Sequence, residues 1–136
     1  MDASDHIARL RAGYAAFNAG DDAATVANID PEIEVYEPPE LPDTKVWHGQ
    51  EGYLAALRNM REVFGEISVE PEEFVELGDQ VVVVARMVVR GVASGAEATL
   101  LMAHLWTVRD ERAVRLQIFG SREEALAAVR PTVAES

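Results

Sequence analysis

Gln80-Val-Val-Val-Val-Ala-Arg-Met-Val-Val-Arg90 and, after a break at Gly91 to Gly95, Glu97-Ala-Thr-Leu-Leu-Met-Ala-His-Leu-Trp-Thr-Val108 are the stretches whose reading decides the fold. Each reads as a long strand, and side chains alternate across a strand. On the first, one face carries Val82, Val84, Arg86 and Val88, and the other carries Val81, Val83, Ala85, Met87 and Val89. On the second, Leu100, Met102, His104 and Trp106 share a face, and Thr99, Leu101, Ala103, Leu105 and Thr107 share the other. A solvated face would be polar at alternate positions, and neither strand has one. Both faces of the sheet therefore need cover. Helices of this chain can cover one. A second copy of the chain, pairing sheet to sheet about a two-fold axis, is expected over the other; the alternative is a C-terminal helix wrapped behind the sheet.

Working outward, Gly78-Asp79 is a hairpin turn preceded by a strand from Ile67 to Leu77, which Pro71 marks as an edge or a bulge. After Val108 a turn at Arg109 to Arg112 leads to a strand from Ala113 to Phe119. A last helix opens at Ser121, where Ser121 and Glu124 match a capping box, and ends before Pro131. Toward the N-terminus the period changes from two to between three and four. Tyr53, Leu57, Met60 and Phe64 form one stripe of a helix over 50–64. Ile7, Leu10, Tyr14 and Phe17 do the same over 4–18, with Gly20 suited to a left-handed cap. Asp21 or Asp22 caps a short second helix through Val26 and Ile29. A short strand runs from Ile33 to Glu37 and stops at Pro38-Pro39; a loop containing Pro42 follows, with a little strand at Lys45 to Trp47. Helices first and antiparallel strands later make the chain α+β rather than a doubly wound parallel sheet.

The 136 residues fit one domain, read as 1–136, and 49% hydrophobic residues suffice for a core. With 12 Lys and Arg against 24 Asp and Glu, the net charge of −12 repels phosphate backbones and anionic headgroups, so neither nucleic acid nor membrane is an expected partner. No cysteine is present, which removes thiol chemistry and thiolate metal sites and is compatible with a cytoplasmic location. Met1-Asp2-Ala3-Ser4-Asp5-His6 has neither the basic nor the apolar region of a signal peptide. His6, His48 and His104 lack ligand spacing, so no metal is expected, and no phosphate-binding glycine loop points to a nucleotide cofactor.

The ordered series of Tyr14-Ala-Ala-Phe17-Asn-Ala-Gly20-Asp21, Asp30-Pro-Glu-Ile-Glu-Val35, Gly49-Gln-Glu51-Gly-Tyr53, Gly78-Asp79, Trp106-Thr-Val-Arg-Asp110 and Ser121-Arg-Glu-Glu-Ala125-Leu126 resembles the SnoaL-like branch of the nuclear transport factor 2-like superfamily, over about residues 5 to 130. The resemblance implies a cone-shaped, curved antiparallel or mixed sheet wrapped around the N-terminal helices, the cystatin-like arrangement, with one hydrophobic pocket. It also implies a family that contains polyketide cyclases, within a superfamily that contains ketosteroid isomerases and limonene epoxide hydrolases. Fold alone does not select among these. Carried over residue by residue, the isomerases' general-base Asp falls at Glu37, their oxyanion Tyr at Gly13 beside Tyr14, and their protonated Asp near Ala103 or His104. The epoxide hydrolases' Arg-x-Asp falls on Arg86-Met87-Val88, matching only the Arg, and their second Asp on Ile118; the cyclases' last-strand base finds only Leu116-Gln117-Ile118. No complete catalytic set of the superfamily is present.

Three polar residues remain as candidates for catalysis. Glu37, at a strand end near the expected pocket wall, is either a general base or one exposed acid among many, and alternation also lets Tyr36 face inward in its place. Arg86, the one charge between Val81 and Val89, either orients a ligand oxygen or forms a structural ion pair. His104 is either a hydrogen-bonded core residue or an acid, base or donor. His48 is read as a cap or a residue of the pocket mouth. Tyr14, Phe17, Tyr36, Trp47, Leu57, Met60, Val88, Met102, Trp106, Leu116 and Ile118 are the expected ligand-binding wall. Two functions follow. One is a cofactor-independent isomerase or cyclase acting on a hydrophobic polyketide- or steroid-like molecule; the other is a non-catalytic ligand-binding or dimerisation module.

Overall fold

A computed structural model describes residues 3–38, 46–91 and 94–129. The order is α1 (Ala3–Ala19), α2 (Asp22–Thr25), β1 (Ile29–Tyr36), β2 (Val46–His48), α3 (Gly49–Phe64), β3 (Glu66–Leu77), β4 (Gln80–Arg90), β5 (Glu97–Arg109), β6 (Arg112–Phe119) and α4 (Arg122–Ala128). The strands form one curved sheet in the order β2-β1-β6-β5-β4-β3. β3 to β6 are an antiparallel meander, whereas β1 runs parallel to β6, so the sheet is mixed. This α+β architecture is the expected one. Pro42 and Lys45 lie outside the described residues, as do 130–136.

Local chemistry sets the element ends. α1 stops at Gly20, whose φ of 75° is the left-handed conformation, and Asp21 N–H closes back onto the Ala16 carbonyl at 3.0 Å. Asp21 caps α2 by accepting from Ala24 N–H, and Ser121 caps α4 by accepting from Glu124 N–H. Pro71 both sits in an edge strand and coincides with a bulge, since the β3–β4 register shifts between Pro71 and Glu73. β1 starts four residues before the expected Ile33 because Ile29 already pairs with Ala113; the ladder then slips between Ile29 and Glu34, where Pro31 has no N–H to give.

α1 and α3 pack on the concave face of the sheet. There Leu10, Tyr14 and Phe17 of α1 and Tyr53 of α3 meet Ile33, Val35, Val81, Val83, Ala85, Met87, Trp106 and Leu116 in the main core. The opposite face carries a second, smaller core: Val82, Ala103 and Leu105 are sealed by Ala125, with Leu126 and Val129 against them. α4 thus wraps behind the sheet and covers part of its second face. It does not cover all of it, since Leu101 is 63% exposed and Arg86 is exposed beside it. No helix among the described residues is long and apolar enough to cross a membrane.

Candidate functional site

Between α1, α3 and the concave sheet face lies a cavity of about 560 Å³, within the range of small-molecule sites. α1 contributes Gly13, Tyr14 and Phe17; α3 contributes Tyr53, Leu57, Asn59, Met60, Val63 and Phe64; the sheet contributes Val35, Val69, Met87, Leu100, Met102, His104, Trp106, Leu116 and Ile118. Thr25, Ile29, Glu37 and Pro38 complete its polar and apolar wall. Val63, Phe64 and Leu100 are themselves exposed to solvent and mark where the cavity opens.

The polar groups inside are few and their arrangement is specific. Trp106 Nε1 donates to the Tyr14 hydroxyl at 3.0 Å, and that hydroxyl lies 2.6 Å from His104 Nδ1. An indole N–H can only donate, so the Tyr14 oxygen accepts from Trp106; Nδ1 is the acceptor that the described residues place beside the hydroxyl's own proton, which is assigned to it. With Nδ1 accepting, the proton of the neutral ring sits on Nε2. The planes of the Tyr14 and His104 rings differ by 5°, as an in-plane O–H···N bond favours. Burial pushes the His104 pKa down to about 4, so the ring is neutral at pH 7. Burial pushes the Tyr14 phenol up, which keeps its proton in place for the relay. His104 Nε2 lies 3.1 Å from Met102 Sδ, and a thioether is a weak acceptor. The outcome is an N–H donor on the cavity wall with no strong protein acceptor among the described residues.

Glu37 is the one carboxylate among the described lining residues. Its Oε2 accepts from Trp47 Nε1 at 3.0 Å, which fixes the group at the wall. Thr25 also lines the cavity, with its hydroxyl donated to the Asp21 carbonyl at 2.7 Å.

Of the expected site residues, the cavity gathers Glu37, His104, Tyr14, Phe17, Leu57, Met60, Met102, Trp106, Leu116 and Ile118. Four others stand elsewhere. Arg86 is on the outer face, 3.1 Å from Glu72 in an exposed ion pair. The reason is register: Arg90 pairs with Glu97 across an even-numbered loop, so partners on β4 and β5 have opposite parity. Val83 thus faces His104 and Ala85 faces Met102, while Arg86 faces Leu101; Val88, opposite Thr99, follows Arg86 to the outside. Tyr36 also points outward, its hydroxyl donating to Glu34 at 3.0 Å, because Val35 takes the inward position. Trp47 packs on the core outside the described cavity lining and donates to Glu37, which does line it. His48 occupies the N-cap position of α3 without a side-chain cap bond and is exposed. Sequence reasoning missed Tyr53 as more than packing, although it heads the same stripe as Leu57 and Met60. It also missed Thr25 and Asn59, for which the pattern carries no signal.

The α+β order, the helices inside a curved mixed sheet and the cavity between them define a nuclear transport factor 2-like fold. Residues 10–116 match the SnoaL-like domain, and the chain belongs to that family. It is similar to TerC, whose crystals were grown with polyporic acid, at 28% identity over 90% of this chain and 96% of that one, with a TM-score of 0.77. A nuclear transport factor 2-like protein of unknown function from Burkholderia pseudomallei is 25% identical over 93% and 97%, with a TM-score of 0.76. IdmH from Streptomyces antibioticus, described as a candidate polyketide cyclase, shares the fold at 20% identity over 90% and 96%, with a TM-score of 0.71. No curated protein matches the sequence.

Proposed function

We propose that this protein is a cofactor-independent isomerase or cyclase that takes a flat hydrophobic molecule of polyketide or steroid type into the cavity. The observation that carries the reading is the Trp106–Tyr14–His104 relay, which holds a neutral imidazole in the wall of a largely apolar cavity that also carries Glu37. In this reading Glu37 takes a proton from the carbon next to a ligand carbonyl, and His104 Nε2–H stabilises the enolate oxygen. Return of that proton to another carbon completes an isomerisation; attack of the enolate carbon on a second carbonyl, with the proton passing from Glu37 to the alkoxide so formed, completes a ring closure. The separation of Glu37 from Arg86 supports the base role, since Arg86 is engaged with Glu72 outside the cavity. The likeness to TerC and to a cyclase candidate supports the substrate class.

The test is uptake of deuterium from heavy water at the carbon beside the carbonyl of a bound aromatic ketone. The wild type should catalyse exchange, and Glu37→Gln should abolish it while leaving ketone binding within about twofold. Binding without exchange in the wild type would reject the enzyme and leave a ligand-binding module. The apolar Leu116 and Ile118 on the last strand, where the cyclases carry a base, favour that second reading. We further propose a cytoplasmic homodimer that pairs through the sheet area α4 leaves open. The exposed Leu101 beside the half-buried Val88 supports it, and a monomer by sedimentation at micromolar concentration would reject it.

A further inference from the structure

Tyr53 is 8% exposed, yet its hydroxyl has no hydrogen-bond partner among the described residues. Nor is the oxygen sealed into the protein, and the residue lines the cavity. Such a hydroxyl is open to whatever fills the cavity, whereas native folds pair most of their buried polar groups within the protein. Packing does not account for it. The Tyr53 ring lies edge-on to Trp106, with centroids 6.5 Å apart and planes at 68°, a contact that phenylalanine would make equally well. The position of the group does. Tyr14 flanks the same indole at 6.3 Å and 89°, and the Tyr53 phenol is near enough to bear on the ionisation of Tyr14. Tyr53 therefore stands in the cavity wall beside Trp106 and Tyr14, the two residues that hold His104 through the relay, and His104 lines the same cavity.

We infer that the Tyr53 hydroxyl is a second ligand-binding donor, acting with His104 Nε2–H on one acceptor oxygen, and that the ligand is a flat apolar molecule carrying a carbonyl or enolate oxygen at the Trp106 end. This rests on the pocket reading above. The imidazole N–H cannot accept, and the Tyr14 proton is committed to Nδ1. An oxygen that only accepts satisfies both remaining donors at once, whereas a hydrocarbon satisfies neither. Tyr53 then sets specificity, since an analogue lacking the oxygen leaves two buried donors unpaired.

Two probes of nearly equal shape separate this from simple apolar binding: 2-acetylnaphthalene and 2-isopropenylnaphthalene, which differ in C=O against C=CH2. Calorimetric titration of the wild type should give about tenfold tighter binding of the ketone, the worth of one to two net hydrogen bonds. Tyr53→Phe should remove most of that preference, leave the alkene affinity unchanged, and reverse part of the fall in the bound ketone's C=O stretching frequency. The variant should fold, with a thermal midpoint equal to or above that of the wild type, because no protein hydrogen bond is lost. Equal binding of both probes by the wild type, or a ketone affinity and C=O frequency unmoved in Tyr53→Phe, overturns this inference alone. Failure of both probes to bind the wild type overturns it together with the pocket reading beneath it.

Discussion

Tyr14→Phe removes one oxygen and, by the geometry of the relay, two buried hydrogen bonds: Trp106 Nε1 to oxygen at 3.0 Å and oxygen to His104 Nδ1 at 2.6 Å. The phenyl ring keeps its place, so the change is almost purely polar. It leaves an indole N–H and an imidazole nitrogen buried without partners, in residues that are 4% and 7% exposed. An orphaned buried group costs about 1–3 kcal/mol, so the pair should cost about 2–6 kcal/mol, a large part of the roughly 5–15 kcal/mol that holds a domain together. Urea unfolding at pH 7 should show it as a fall in midpoint of roughly 1–3 M with unchanged slope. Nitrogen-15 spectra of the imidazole supply a second readout. In the wild type Nδ1 should be the unprotonated nitrogen and Nε2 the protonated one; Tyr14→Phe should lose that fixed preference. Tyr53→Phe is the matched control, the same chemical change at a hydroxyl without a protein partner, and should cost nothing. A loss below about 0.5 kcal/mol in Tyr14→Phe, which is ordinary for a surface change, or a wild-type proton on Nδ1, would refute the relay.

The depressed pKa of His104 has a signed consequence. With a folded value of about 4 against an ordinary 6.5, the unfolded chain binds more protons between these values, so this residue's contribution is fully present above about pH 6.5 and is lost as pH falls toward 4. The total is on the order of 3 kcal/mol, to be read as the difference in pH dependence between the wild type and His104→Gln in urea titrations; parallel curves across that window would contradict the burial argument. Leu101→Lys, at a site 63% exposed, should change monomer stability by no more than about 0.5 kcal/mol but shift the sedimentation coefficient from dimer to monomer; an unmoved coefficient would remove the outer face as the interface.

Elements with strong local signals were legible in the sequence. The three-and-four spacing of Leu10, Tyr14 and Phe17 defined α1, and the cavity receives two of those three side chains. Ser121 and Glu124 announced the cap of α4, and Gly78-Asp79 announced the β3–β4 turn. Alternation along β4 and β5 also sorted each strand correctly into two faces. It could not say which face of one strand joins which face of the other, because that depends on loop parity between Arg90 and Glu97. That single bit moved Arg86 and Val88 out of the site. At β1 the same uncertainty lay between Tyr36 and Glu37, and the parallel pairing of Val35 with Leu116 resolved it in favour of Glu37. The relay itself was out of reach: Tyr14 and His104 stand 90 residues apart, and no pattern in either element signals that they meet.

Neutrality of the donors bears on what the cavity can favour. His104 is uncharged at pH 7, and burial keeps the Tyr53 phenol protonated. A ligand arriving as an anion would approach a chain of net charge −12 and enter a largely apolar cavity whose wall carries the Glu37 carboxylate, so it would lose hydration without gaining a cation from the described lining residues. A neutral ketone meets no such barrier. In the proposed reaction, Glu37 would take its proton and the negative charge would pass from the carboxylate to the ligand oxygen, with no change in the net charge of the cavity. The donors are oriented beforehand, one through its relay and the other on a helix, so little reorganisation is needed as that charge arrives. The arrangement therefore favours a charge made inside the cavity over one brought into it. This is what distinguishes enolate chemistry from the binding of a preformed anion.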